Sequence, residues 1–194
     1  MTGPTVGGTA PRSGTGLAGE PDPVGESDPV GEPDPVEELD PAVLLRRVAQ
    51  RGWRLATAES LTGGALVARL VDVPGASAVI AGGATCYSLQ SKTRVLGVDA
   101  EMLAATGAVT ATVAAAMADG ALRLYGADLA LSTTGVAGPG ADDRGIPEGT
   151  VHLGLARRGL PTLTRELRLS GGRALIRSRT VDAALALLSS VLDD

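Results

Sequence analysis

From Pro41 to the C-terminus, short apolar runs of strand length alternate with segments whose apolar residues recur at helical spacing. That alternation restricts the fold, because helices joining strands of one sheet must pack back onto its faces. Residues 42–51 have helical spacing and stop before Gly52, a residue suited to a helix end. Residues 53–58 read as a short strand, 60–64 as a turn, and the stretch through about Val71 as a second helix. Residues 79–87 form a long, mainly apolar run with paired glycines, expected as a buried strand. Helices are expected over 89–96, stopped by Gly97, over 100–105, and over 111–125 behind a Thr110 cap. Strands follow at 128–133, 150–156 and 162–169, the last alternating like an edge strand, and residues 173–192 form a closing helix. This order predicts an α/β fold, a three-layer α/β/α sandwich with a mixed β-sheet. With Trp53, Tyr87 and Tyr125 as the three aromatic residues, its core must be built from Leu, Val, Ile and Ala.

The first forty residues are a different material. They carry nine acidic residues against Arg12, a net charge of −8, so the remainder sums to +3 within a whole-chain charge of −5. Asp-Pro recurs at Asp22, Asp28, Asp34 and Asp40. Too few apolar groups are present to offset the entropy of ordering, and each proline favours an extended predecessor. Residues 1–39 are therefore expected to be a disordered, self-repelling acidic tail, a spacer or partner-binding segment, and residues 40–194 the folded domain. The acidic balance and scarcity of aromatics argue against nucleic-acid binding. No apolar run reaches membrane-spanning length and no signal peptide is recognisable, so a cytoplasmic location is expected, with no membrane partner. One cysteine, Cys86, excludes an internal disulfide, and one histidine, His152, leaves no zinc-like ligand cluster; neither metal nor cofactor is expected. A homo-oligomer is compatible with the sequence.

Lys92 is the single lysine among seventeen cationic residues, the others all being arginine. A guanidinium serves surface charge well but cannot be deprotonated in a protein, whereas a lysine amine can be tuned into a base. If Ser88 caps the helix over 89–96, Lys92 sits near its start, where the macrodipole disfavours an ammonium. That effect is worth about 0.3–1 kcal/mol, while lowering a lysine to the range useful at neutral pH requires roughly 4 kcal/mol. Burial or a neighbouring positive charge must supply the remainder. Tyr87 can orient the amine or relay a proton, and equally reads as a rim residue.

The stretch Glu59-Ser60-Leu61-Thr62-Gly63-Gly64 joins a strand to a helix and presents hydroxyls beside free backbone N–H groups, suited to an anion or an oxyanion. It also reads as a plain N-cap with packing glycines. Serine needs a base; a Ser–Asp–His triad through His152 is disfavoured because Ala58 and Thr62 stand where a nucleophile elbow has glycines. Lys92 is the better partner for Ser60. Gly135 to Gly140, following Thr133 and Thr134, offers a phosphate or ribose cradle, or else a tight turn. Cys86 is expected as a small core residue.

Taken together, Thr57-Ala58-Glu59-Ser60-Leu61-Thr62-Gly63-Gly64, Asp72-Val73-Pro74-Gly75-Ala76-Ser77, Tyr87-Ser88 with Lys92 and Leu96-Gly97-Val98, Gly107-Ala108-Val109-Thr110, and Thr134-Gly135-Val136-Ala137-Gly138-Pro139-Gly140 resemble the CinA C-terminal domain family. The resemblance runs in order from about residue 41 and implies an α/β/α fold in its stand-alone form. It further implies nicotinamide-nucleotide amidohydrolase (NMN deamidase, PncC) activity: metal-free hydrolysis of nicotinamide mononucleotide to nicotinate mononucleotide and ammonia, in pyridine nucleotide recycling. By this resemblance Ser60 is the nucleophile, Lys92 its base and Tyr87 an assistant. Thr62 orients the amide, Gly63 or Gly64 supplies oxyanion N–H groups, and Thr134, Gly135 and Gly138 meet ribose or phosphate. Another small-amide hydrolase and a non-catalytic binding module are the competing readings. Gly172, Glu148 and the sequence Ala141-Asp142-Asp143 depart from the family pattern, and they bear on phosphate contacts more than on amide chemistry.

Overall fold

The computed structural model describes residues 1–3 and 39–193. The Asp-Pro steps at Asp22, Asp28 and Asp34 lie outside the described residues, while Asp40 accepts the Ala42 N–H at 2.8 Å and caps the first helix. Leu39, assigned to the tail by sequence, packs against the core.

Within the described residues the order is α1 (Pro41–Gln50), β1 (Leu55–Glu59), α2 (Ala65–Val71), a 3-10 turn (Ala76–Ala78), β2 (Ile80–Thr85), α3 (Leu89–Leu96), α4 (Ala100–Thr106), α5 (Ala111–Tyr125), β3 (Leu129–Gly135), β4 (Thr150–Arg157), β5 (Leu163–Arg168) and α6 (Arg173–Leu192). The sheet runs β2-β1-β3-β4-β5. β1 is parallel to both β2 and β3, whereas β3–β4 and β4–β5 are antiparallel, the expected mixed sheet. Two expected boundaries move. The run at 79–87 follows the 3-10 turn and its strand covers only Ile80–Thr85, so Cys86 and Tyr87 lie beyond it. Cys86 still donates its N–H to the Glu59 carbonyl, after which the chain turns away. β3 runs on to Gly135, carrying the strand into the glycine loop.

The alternation of side chains along the strands sorts the helices into two layers. Leu55, Leu129, Leu131, Val151, Leu153 and Leu155 form one face and pack with residues of α1, α2 and α6. The opposite face is made of small residues, Ala56, Ala58, Ala130 and Ala156, beneath α3, α4 and α5. Small residues let α5 lie close to the sheet. A Cβ at Gly154 would stand 2.6 Å from the Ala114 carbonyl oxygen, and Ser132 donates its hydroxyl to that oxygen at 2.6 Å. Gly120 plays the same part between helices, because a Cβ there would collide with the Leu96 carbonyl at the end of α3. β5 is exposed along most of its length, in line with its edge-like pattern. No helix among the described residues is long and apolar enough to cross a membrane.

Candidate active site

The chain leaves β1 for β2 through α2 on one face of the sheet and returns from β2 to β3 through α3–α5 on the other. Crossovers to opposite faces open a crevice at the carboxyl end of the strand between them, the usual ligand position in open α/β sheets. Ser60 is the first residue past the end of β1.

The turn after Ser60 is held from both sides. Gly63 and Gly64 adopt φ values of +63° and +96°, which residues with a Cβ rarely take. The Glu59 carboxylate, 1% exposed, accepts the N–H groups of Gly64, Leu66 and Val67 at 2.9, 3.0 and 2.8 Å. It thereby caps α2 in place of the N-cap residue Gly64, which has no side chain to do so. Neither Ser60 nor Thr62 is a helix cap. Ser60 is held by its backbone, its N–H donating to the Thr133 carbonyl at 2.9 Å.

These bonds change three sequence expectations. The Gly64 N–H is taken by Glu59, and the Gly63 N–H donates to the Ser60 carbonyl at 3.1 Å, so neither is free for an oxyanion. Thr62 is fully buried and its hydroxyl pairs with that of Thr133 at 2.7 Å, so it fixes the turn rather than facing an amide. On this turn, the N–H groups of Leu61 and Thr62 are the ones that make no hydrogen bond among the described residues.

Lys92 enters from the other layer. Ser88 caps α3 through a capping box with Ser91, as its spacing suggests, and the helix carries Lys92 inward. The side chain has no solvent exposure. Its Nζ donates to Ser60 Oγ at 2.9 Å and to the Cys86 carbonyl at 2.7 Å. Burial disfavours the ammonium and lowers the Lys92 pKa to about 8, against a weaker opposing effect of the Cys86 thiol. Cys86 itself is wholly buried in the core, and burial raises its pKa.

A cavity of about 180 Å³ lies in front of this pair, lined by Ser60, Leu61, Tyr87, Thr134, Gly135 and Arg173 among others. Tyr87 is 63% exposed at its mouth and accepts a hydrogen bond from Arg173 at 3.0 Å. Its hydroxyl bonds neither Ser60 nor Lys92, which favours the rim reading over a proton relay. Thr134 lines the cavity while its hydroxyl donates to the Ala108 carbonyl at 2.7 Å. Gly138 does not line the cavity; its carbonyl accepts from Arg173 at 2.7 Å. The Gly140 N–H donates to Glu148 at 2.7 Å, so a carboxylate occupies the glycine loop that the sequence offered as a phosphate or ribose cradle. His152 sits in β4, paired across the sheet with Thr134 and Glu166, and takes no part in the Ser60–Lys92 pair. A larger groove of about 360 Å³ between α2 and α6 contains neither Ser60 nor Lys92. Among the described residues no group of three His, Cys, Asp or Glu side chains could hold a metal ion.

Sequence reading missed Glu59, Arg173 and Arg177. Arg177 donates to the carbonyls of Leu61 at 3.0 Å and Thr62 at 2.6 Å. A signal for the arginines was present: Arg173 opens α6, where the helix dipole repels cations and the first turn has no acidic residue, and Arg177 and Arg179 follow within the next turn. Such a cluster needs acceptors from elsewhere in the fold. Glu59 was visible as a carboxylate ending an otherwise uncharged strand.

A family model described as CinA C-terminal domain matches residues 39–192. A CinA-like protein of Mycobacterium sp. (strain MCS) is 48% identical over 143 residues, which are 74% of this chain and 34% of that protein. The chain thus spans about a third of the length of the curated relatives it matches. Among solved structures, the CinA superfamily protein from Klebsiella pneumoniae 700603 is 37% identical with a TM-score of 0.74, covering 80% of this chain and 99% of that one. The CinA superfamily protein from Escherichia coli is 30% identical with a TM-score of 0.77, covering 84% and 94%.

Proposed function

This chain belongs to the CinA C-terminal domain family, and on that premise we propose that it hydrolyses the carboxamide of nicotinamide mononucleotide to nicotinate mononucleotide and ammonia. The observation that carries the reading is the 2.9 Å contact between Ser60 Oγ and a fully buried Lys92 amine. A pKa near 8 leaves part of the amine neutral at physiological pH, and the cationic pyridinium of the substrate would favour the neutral form further.

Neutral Lys92 takes the Ser60 proton as Oγ attacks the carboxamide carbon. The oxyanion is received by the unpaired N–H groups of Leu61 and Thr62. Collapse of the tetrahedral adduct breaks the C–N bond, and Lys92 returns its proton to the departing ammonia. Water, deprotonated by the same amine, then attacks the acyl ester, and nicotinate mononucleotide leaves as Ser60 regains its proton. The cavity, about 180 Å³, is smaller than the roughly 300–1,000 Å³ typical of ligand pockets. It suits the pyridine ring and its amide, with ribose and phosphate at the mouth beside Tyr87 and Arg173.

Glu148 favours a second reading, a carboxamide substrate without phosphate, because its charge occupies the Gly140 N–H. Ammonia release from nicotinamide mononucleotide, its riboside and free nicotinamide by purified protein separates the two. Turnover of the mononucleotide that disappears in Ser60→Ala supports the first. Riboside turnover with an inert mononucleotide supports the second, and no release from any of the three points to a binding module.

A further inference from the structure

We infer that Arg177 is a positioning residue for the oxyanion site, acting through two peptide groups of the Ser60 turn; this rests on the reading of Ser60 as a nucleophile. Its guanidinium is permanently charged, and its fork reaches two successive carbonyls, Leu61 at 3.0 Å and Thr62 at 2.6 Å. The Leu61 carbonyl shares its peptide group with the Thr62 N–H. The Thr62 carbonyl shares its peptide group with the Gly63 N–H, which donates to the Ser60 carbonyl at 3.1 Å. That carbonyl in turn shares its peptide group with the Leu61 N–H. Both unpaired N–H groups on the turn therefore end a hydrogen-bonded path that starts at Arg177.

Hydrogen bonds in series polarise one another. A cation on the carbonyl end of a peptide makes the N–H end a stronger donor, and the forked contact also fixes the direction in which that N–H points. Glu59 complements this from the opposite side by taking the N–H groups of Gly64, Leu66 and Val67. Its carboxylate is thereby committed to α2, and the Leu61 and Thr62 donors remain for the substrate. Arg177 is spaced from those donors by the peptide plane, so it improves the oxyanion site without meeting the substrate.

The test uses a fluorophosphonate on the full chain. Ser60 Oγ forms a bond to phosphorus, the P–F bond breaks, fluoride departs and Lys92 takes the serine proton. The phosphoryl oxygen needs the same donors as an amide oxyanion, and no nicotinamide is involved. Wild type should be labelled at Ser60, read by intact mass, and Ser60→Ala should not. Arg177→Gln should be labelled at least ten-fold more slowly, with Arg177→Lys between the two. For a substrate that is turned over, kcat should fall by a similar factor while KM stays within about two-fold. Independently of any variant, phosphonylation of the wild type should move the Leu61 and Thr62 amide proton resonances downfield. Labelling within two-fold of wild type in a folded Arg177→Gln protein, a change confined to KM, or unmoved Leu61 and Thr62 resonances would each overturn the inference. Normal Arg177-dependent labelling in a protein inert toward nicotinamide mononucleotide would instead sink the substrate reading and leave this one standing.

Discussion

The Lys92 amine meets the Ser60 hydroxyl at 2.9 Å from a position without solvent exposure, across 32 residues of sequence and two layers of the fold. Burial lowers the pKa of the amine, and the contact gives the neutral form a proton to accept. Activity and stability should therefore both depend on the ionisation of Lys92.

The folded chain releases the Lys92 proton near pH 8, whereas an unperturbed lysine holds it to about 10.5. Below the folded value both states are protonated and the folded state carries the cost of a buried ammonium. Between the two values the unfolded state binds more protons, so stability rises with pH, by roughly 3 kcal/mol across the window. Urea midpoints at pH 7, 8.5 and 10 should show this rise in the wild type and not in Lys92→Met. In parallel, kcat/KM should climb through an apparent pKa of about 8.

Lys92→Arg keeps the charge and cannot lose it, so it should be nearly as inactive as Lys92→Ala. Retention of more than about a tenth of wild-type kcat, less than about 1.4 kcal/mol in barrier, would remove the base role. Circular dichroism on both variants controls for folding.

Tyr87 is bonded to Arg173 and not to the serine or the lysine. Tyr87→Phe should thus keep kcat within about three-fold. Arg173→Ala removes a cation from the mouth and should raise KM for the mononucleotide by about ten-fold or more, the range of a charge-assisted hydrogen bond of roughly 1.5–3 kcal/mol. The riboside should be much less affected, and steady-state kinetics on the two substrates checks the difference.

Glu148→Gln retains an acceptor for the Gly140 N–H while removing the negative charge beside the glycine loop. KM for the mononucleotide should fall several-fold with the riboside unchanged. Equal changes for both would show that the carboxylate acts on the shape of the loop and not on the phosphate.

Glu59→Gln replaces a carboxylate that accepts three N–H groups by an amide with one acceptor oxygen. Charge-assisted hydrogen bonds to a buried group are at stake, and the expected cost is about 2–4 kcal/mol, or roughly 5–15 °C in Tm for a domain of this size. A thermal melt is sufficient to check it.

The layer arrangement was legible because its cause is local. Apolar periodicity, Gly52 and Gly97 at helix ends, and Ser88 and Thr110 as caps all act within a few residues, and the structure uses each of them. The Ser60–Lys92 pairing was accessible for a similar reason: one lysine, placed near a strand end, had few other uses. What sequence did not disclose was which backbone N–H groups remained free. Gly63 and Gly64 look available until Glu59 and the Ser60 carbonyl claim them, and Arg177 reaches the turn from 116 residues away. Likewise Tyr87 follows its strand at a spacing compatible with either role, and the partner that favours the rim reading, Arg173, is 86 residues distant.

Gly120 does not line the cavity beside Ser60, yet it sets how near α5 comes to the carbonyl end of α3. α3 is the rod on which Lys92 is mounted. One methyl group at position 120 would push that rod outward as a body and lengthen the serine–lysine distance with every active-site residue intact. The proposed activity is thus tied to a neutral-looking position in a helix seam, and a substitution there would retune the chemistry while the motifs still read as complete.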